Sequence, residues 1–555
     1  MTLEVRALRE TAACLISSVL LVAILGTVSA FTFFVVATMN GFRIPLILFI
    51  APLLVILGIV AGDLTPRGKY RIPINASLGR LFQTSRYGLA SIILVAGILH
   101  LTIVFRASYY PDEYGVWALL NTHPWLNLAE FLRRYDVLAG LQRVHPPIGF
   151  LLMALGYSVL GSIEGARLVS AVFALATIPT AYWLASMFLS RKNALIVSAV
   201  FALMPQTIVF LSLALTDTYV FFFGLLSLST YASAVKERSR VRLLASGVCL
   251  GLAFWSKLAI PILWAFVIML AGFLLPWGAQ PRRVIWAAIC AVIGVVIYGL
   301  WYFVSPVSFE LAAEMLLRIM LIKRPLSPIS SISVSIFSAT NANLSYQDLL
   351  LQLPVWFTPL VILFVVVGIY AAFREKERQA SWMGLWALVP LLALIPNYRD
   401  VRYLLMSSIP AALLVVSAIG RVRYRRRAIF GVVLFFLILG SVSLVPIVEQ
   451  QYYGVREAAW VVSDLGISRN AILTNALAIQ FYLSDANLID LSSYGNESLI
   501  IGLLSTGSVS AVVIIHNLRG PWIAPQPSII TLLRAHFTHR IANGLSDFSW
   551  YEVLY

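Results

Sequence analysis

The sequence predicts an all-α polytopic membrane bundle of about 13 helices, followed by a small C-terminal extracytoplasmic α/β domain. Three observations carry that prediction. Hydrophobic residues make up 60% of the 555 positions and charged residues only 12%, with a mean hydropathy of +0.89. Apolar runs of spanning length follow one another down the chain, separated by short basic loops. After residue 446 the pattern changes to short helical and β-like stretches.

A span needs roughly 17–25 apolar residues. Runs of that kind lie at 12–37, 44–62, 87–105, 166–189, 194–214, 218–235, 284–304, 354–373, 381–396, 403–420 and 428–446. The run 243–276 holds two short spans broken at Lys257, and 148–160 is too short for an ordinary span, so one crossing is expected to be incomplete. The first run follows "MTLEVRALRE", lacks a small-residue cleavage pattern and exceeds a signal h-region, so it reads as a retained span. The layout divides into two extra N-terminal helices (1–62), a transmembrane catalytic region (63–446) with large outer loops at 106–147 and 305–353, and the C-terminal domain (447–555).

The formal charge of +16 would suggest nucleic acid in a soluble protein. Here the basic residues sit in loops such as "TPRGKYR", "KERSRVR", "QPRR", "REKER" and "RVRYRRR". That distribution orients a membrane protein with those loops in the cytoplasm. It leaves loops 106–147 and 305–353 and everything after 446 outside. Cys14, Cys249 and Cys290 all lie in apolar stretches, without disulfide or metal-site spacing. Asn-X-Ser sequons at Asn75, Asn343 and Asn496 carry weight only in a glycosylating host.

Ionisable residues at a bilayer edge are costly and usually mark a pathway or a site. "SYYPDEYGVWALL" puts Asp112 and Glu113 just past an apolar run. His145 precedes a Pro-Pro pair in "HPPIGF", Asp217 heads a span in "ALTDTYVFFF", and Lys257 interrupts "GLAFWSKLAIP". Arg399 and Arg402 lie in "NYRDVRYLLMSSIP", and Arg318, Lys323 and Arg324 follow the span 284–304. Each has a plainer structural reading. The acidic pair could cap a helix beginning near Tyr114, Asp217 could cap its own span, and Lys257 could snorkel. All are expected on one membrane face. Cations there suit an anionic lipid phosphate, and a carboxylate suits a general base.

Four ordered strings resemble the C-type superfamily of membrane glycosyltransferases, in the branch of the protein O-mannosyltransferases and aminoarabinose lipid A transferases. They are "YYPDEYGVW", "HPPIGFLLMALGYSVLG" followed by "GARLVSAVFAL", "ALTDTYVFF" with "GLAFWSKLAIPI", and "VRYLLMSSIPAALL". The resemblance spans roughly 87–446 and implies a catalytic base at Asp112, with Glu113 its acidic neighbour. It implies substrate-binding roles for His145, Asp217, Lys257, Arg402 and Tyr403. Gly115 stands where an arginine is frequent, His145 replaces a lysine, and "SKLA" replaces a "TKG"-like string. No "WWDYG"-type string is present, which argues against an oligosaccharyltransferase catalytic subunit.

The expected activity is transfer of a monosaccharide from a polyprenyl (dolichyl) phosphate to an acceptor hydroxyl on protein, lipid or glycan at the outer membrane face. Configuration would invert. No cofactor is required, because polyprenyl phosphate is a stable leaving anion that cations can stabilise, although a divalent metal is compatible. The expected partners are the lipid-linked donor, membrane lipid and the acceptor, in a prokaryotic cell membrane. A lipid-linked sugar transporter is the alternative from another class, but it would place its ionisable residues at mid-helix, in repeated halves.

Overall fold

The computed structural model describes residues 85–107, 113, 116, 120, 147–257, 259–304, 357–375, 378–394, 401–421, 431, 433–435, 437–441, 454–467, 471–476, 479–480, 483, 486–491, 497–517, 525–546 and 549–555. The expected N-terminal helices, the loop 305–353, Asp112 and His145 lie outside these residues.

Helix α1 (Ser85–Arg106) precedes the short α2 (Ile148–Leu160). The chain continues through α3 (Ile163–Phe188), α4 (Arg191–Ala202) and α5 (Pro205–Phe210). Next come α6 (Thr216–Glu237), α7 (Arg240–Phe254), α8 (Ala259–Leu274) and α9 (Gln280–Val304). Helices α10 (Pro359–Glu375) and α11 (Arg378–Leu394), a 3-10 turn (Val401–Ser407) and α12 (Ser408–Arg421) follow, and the described residues within 431–441 are helical and pack in the same core. Among the described residues, four helices are long and apolar enough to cross a membrane: Gly88–Arg106, Ile163–Phe188, Thr216–Glu237 and Gln280–Leu300.

Helix ends follow local chemistry. The Ser190 and Ser239 hydroxyls accept from the backbone N–H of Asn193 and Arg242, opening α4 and α7. Arg283 donates to the carbonyls of Gly272, Trp277 and Gly278, and Lys236 to that of Met187, so cations cover carbonyls left over at the ends of α8 and α3. These cations gather at the end of the bundle opposite the site described below. Helix α2 has 13 residues, about 20 Å, which is shorter than a bilayer's apolar thickness. It ends at Gly161, whose φ of 66° is left-handed. The chain then reverses into α3, which crosses α2 with glycine against glycine: a Cβ on Gly156 would stand 1.9 Å from the Gly165 carbonyl oxygen.

Two predicted spans differ from expectation. The run 194–214 is not one helix: α4 stops at Ala202, and Met204 adopts extended backbone (ψ 131°) before Pro205 opens α5. Proline disfavours helical backbone in the residue before it and suits the first helical position. The run 403–420 begins as the 3-10 turn before α12 takes over. Lys257 does break 243–276, between α7 and α8.

The C-terminal region folds as expected into an α/β unit. Helix α13 (Val455–Asp464) leads into β1 (Ala471–Thr474) and β2 (Asn487–Asp490), then α14 (Glu497–Ser505) and β3 (Val509–Asn517). Helix α15 (Pro527–His536), β4 (Arg540–Ser546) and β5 (Ser549–Leu554) end the chain. The sheet order is β2-β1-β3-β5-β4. Strand β1 runs parallel to β2 and β3, whereas β5 is antiparallel to β3 and β4. Alternate side chains face opposite layers: Val513, Ile515 and Val553 pack with α13, and Val512, Ile514 and Leu554 with α14 and α15.

Candidate active site

The turn 211–217, "LSLALTD", joins α5 to α6 and is where the predicted residues meet. Its apolar members Leu211, Leu213 and Leu215 are buried, which anchors the turn in the bundle. Three polar residues reach it from elsewhere in the chain.

Glu113 reaches it first. Glu113, Val116 and Leu120 are helical and buried, a spacing that places them along one helix face. Arg167, in the second turn of α3, donates Nε to Glu113 Oε1 at 2.8 Å and Nη2 to Oε2 at 2.5 Å. The Ala214 backbone N–H also donates to Oε1, at 2.7 Å. Arg167 Nη1 donates to the carbonyls of Ala107 (2.8 Å) and Val104 (3.2 Å) at the end of α1. Arg167 and Glu113 are 1% and 0% exposed. One forked ion pair therefore ties α1, the helical segment carrying Glu113, α3 and the turn together. A fork of this kind needs arginine, because only guanidinium presents coplanar donors to both carboxylate oxygens.

Lys257 reaches it second. Lys257 Nζ lies 2.9 Å from both carboxylate oxygens of Asp217, and both side chains are buried. The break between α7 and α8 aims Lys257 this way. It is pinned by Trp255, whose Nε1 donates to the Ile297 carbonyl and whose own carbonyl accepts from Ile148 N–H. The start of α2 sits beside the pair: a Cβ on Gly149 would touch Thr216 at 3.1 Å. The segment that follows His145 thus abuts the Asp217–Lys257 pair.

His100 on α1 is the third. Its Nδ1 lies 2.6 Å from Ser212 Oγ, and Ser212 spends its own proton on the Ile208 carbonyl at 2.5 Å. The histidine must therefore donate from Nδ1. Its Nε2 is buried without a hydrogen-bond partner.

The structure brings together Glu113, Asp217 and Lys257. Arg402 is buried in the 3-10 turn, which packs against α5, and Tyr403 belongs to the same turn. Sequence reasoning gave no role to Arg167 or His100. The signal for Arg167 was present: it is an arginine inside the apolar run "GARLVSAVFAL". His100, embedded in α1, carries the same signal.

The family model described as dolichyl-phosphate-mannose-protein mannosyltransferase matches residues 144–309, just under a third of the chain. ArnT from Cupriavidus metallidurans in the apo state superposes with a TM-score of 0.55 at 13% identity, covering 84% of this chain and 97% of that one. The chain carries the fold of the C-type membrane glycosyltransferases.

The same ArnT bound to undecaprenyl phosphate gives a TM-score of 0.55 at 14% identity, covering 86% and 98%. The Archaeoglobus fulgidus oligosaccharyltransferase gives 0.48 at 13% identity, covering 76% and 68%. No curated protein matches in sequence. Within this C-type fold, the family-matched segment contains Arg167, Asp217 and Lys257, so both buried ion pairs have at least one member in it.

Proposed function

We propose that this protein transfers a monosaccharide from a polyprenyl-phosphate donor to an acceptor hydroxyl at the outer membrane face, with inversion at the anomeric carbon. The observation that carries this reading is the convergence of the two buried ion pairs, Glu113–Arg167 and Asp217–Lys257, on one turn. Buried ion pairs are costly to build and gain nothing over apolar packing, so two beside one turn favour a site over scaffolding. A lipid-phosphate donor is supported by the C. metallidurans ArnT, solved with undecaprenyl phosphate in the same fold.

In this reading Asp112 takes the proton from the acceptor hydroxyl as its oxygen attacks the anomeric carbon opposite the phosphate. The bond from that carbon to the phosphate oxygen breaks, and polyprenyl phosphate leaves. Glu113 and Arg167 are positioning residues: their forked pair holds the outer-loop helix against α1 and α3. Lys257 supplies positive charge near the leaving phosphate, and Asp217, 2.9 Å away, holds it aimed. His145, Arg402 and Tyr403 complete the phosphate side. Electrostatic stabilisation of the leaving oxyanion is the largest single contribution expected of such a site.

The test is Asp112→Asn in the full-length protein, assayed for sugar release from polyprenyl-phosphate mannose, the sugar named by the family model, and polyprenyl-phosphate aminoarabinose. Loss of a general base should slow transfer by about 10²–10⁴-fold with donor binding retained. Turnover within about threefold of wild type would remove Asp112 as the base.

A further inference from the structure

The C-terminal sheet carries a charged cluster that the transfer reaction does not use. Glu552 on β5 is fully buried beneath α15. Arg534, in the last turn of α15, donates Nε to its Oε2 at 3.0 Å and Nη2 to its Oε1. Arg540, at the start of the edge strand β4, donates Nη2 to Oε1 at 3.0 Å. His516 Nε2 lies 3.5 Å from the same oxygen, outside hydrogen-bond alignment, and its ring stacks on Trp550 with centroids 3.6 Å apart and planes 5° from parallel. His516 and Trp550 are direct cross-strand partners.

Two guanidinium groups share one carboxylate here, so the cluster keeps one positive charge in excess. Among the described residues, Arg534 and Arg540 pair with no other acid. Both open to solvent, at 38% and 48% exposure, while the carboxylate behind them is sealed. Glu552 therefore neutralises one of the two guanidinium charges and orients both groups. Two residues along β5, on the same face as Glu552, stands Trp550, partly exposed and covered on one side of its ring by His516. The arginine cluster lies along the middle of β3 and β5, because Glu552 pairs with Ile514 and Arg540 lies across from Leu554, while His516 and Trp550 sit towards the C-terminal end of β3. Among the described residues, no three His, Cys, Asp or Glu side chains are gathered to hold a metal.

We propose that Arg534, Arg540 and Trp550 form a binding site for an acidic glycan, with the sugar's carboxylate on the guanidinium N–H groups that Glu552 leaves unused and its ring against the tryptophan. The single excess charge matches a monoanionic carboxylate better than a doubly charged phosphate. A planar fork matches carboxylate geometry, and an aromatic face suits the C–H side of a sugar ring. The site stands apart from the transfer reaction, and its test uses binding alone.

Full-length protein in detergent is titrated calorimetrically with an oligogalacturonate and with a neutral galacto-oligosaccharide of equal length. The uronate should bind at least about tenfold more tightly. Arg540→Gln, which leaves the Arg534–Glu552 fork in place, should weaken uronate binding about tenfold. Arg456→Gln should not, although Arg456 sits in the same domain with the same 48% exposure. Arg540→Lys keeps the charge but loses the planar fork, and should weaken binding several-fold. Equal binding of the neutral sugar, or equal weakening by Arg456→Gln and Arg540→Gln, overturns the proposal. Displacement of the uronate by an equal concentration of inorganic phosphate overturns its carbohydrate part.

Discussion

Arg167 shows how a single buried residue can hold several elements together. Its guanidinium engages a carboxylate and two backbone carbonyls while only 1% exposed. Removing one member of a buried pair strands the other charge, at a cost of about 3–5 kcal/mol. Arg167→Gln and Glu113→Gln should each lower the unfolding midpoint of the purified protein sharply. The double variant should recover much of the loss, because neither charge is then left alone. Single and double variants losing stability additively would show that the pair is not coupled. Glu552 gives a pH prediction of known sign. Burial pushes its carboxyl up, but His516, the Arg534 hydrogen bonds and the charges of Arg534 and Arg540 outweigh that and hold it at about 2, below the ordinary 4.5. The folded-state value is depressed, so this carboxylate stabilises the fold above pH 4.5, and that contribution is lost as pH falls from there towards 2. Hydrogen exchange of β3 and β5 in the full chain should rise over that window in wild type. In Glu552→Gln the additional rise should be absent.

At the scale of elements, what was legible depended on whether the signal was local. The break between α7 and α8 announced itself, because a lysine in an apolar run has few places to go. The short α2 could be read from its length. The break after α4 had a local cue in Pro205, but the residues on both sides are equally apolar and the run therefore looked continuous. The forked pair could not be read at all: Glu113 and Arg167 are 54 residues apart, and nothing local to either specifies the partner. Asp217 and Lys257, 40 apart, each stood out alone, but their pairing did not. Small residues at helix crossings carry a similar long-range message. Gly156 and Gly165 let α2 and α3 approach until backbone meets backbone. Gly156→Ala should force the helices apart, lowering thermal stability by about 1–3 kcal/mol or more. Because α2 begins beside the Asp217–Lys257 pair, the displacement should also slow sugar transfer. Gly161→Ala is the informative companion: its Cβ meets nothing within 4 Å, so its cost should come only from left-handed backbone. Equal effects of Gly156→Ala and Gly161→Ala on transfer would count against the crossing as the cause.

Across the whole molecule, the two ends of the bundle are chemically unlike. At one end, cations cover helix C-termini: Lys236 beside Met187, and Arg283 beside Gly272 and Trp277. At the other, two acid–base pairs, Glu113–Arg167 and Asp217–Lys257, are buried. Lys257→Met would leave Asp217 buried without its cation, so it should reduce both stability and turnover. Asp217→Asn/Lys257→Met together should restore stability while leaving turnover low, which separates the structural share of the pair from its catalytic share. Restored turnover in that double variant would exclude Lys257 from the leaving-group side.

The concealment of Asp217 and Lys257 also bears on salt. Mobile ions screen charges that water can reach, over about 8–10 Å at ordinary ionic strength, and hardly screen those it cannot. Raising potassium chloride should therefore leave the apparent donor affinity of this protein nearly flat. Any binding at the open arginines of the C-terminal sheet should fade over the same range. Two sites on one chain would then answer a single additive in different ways.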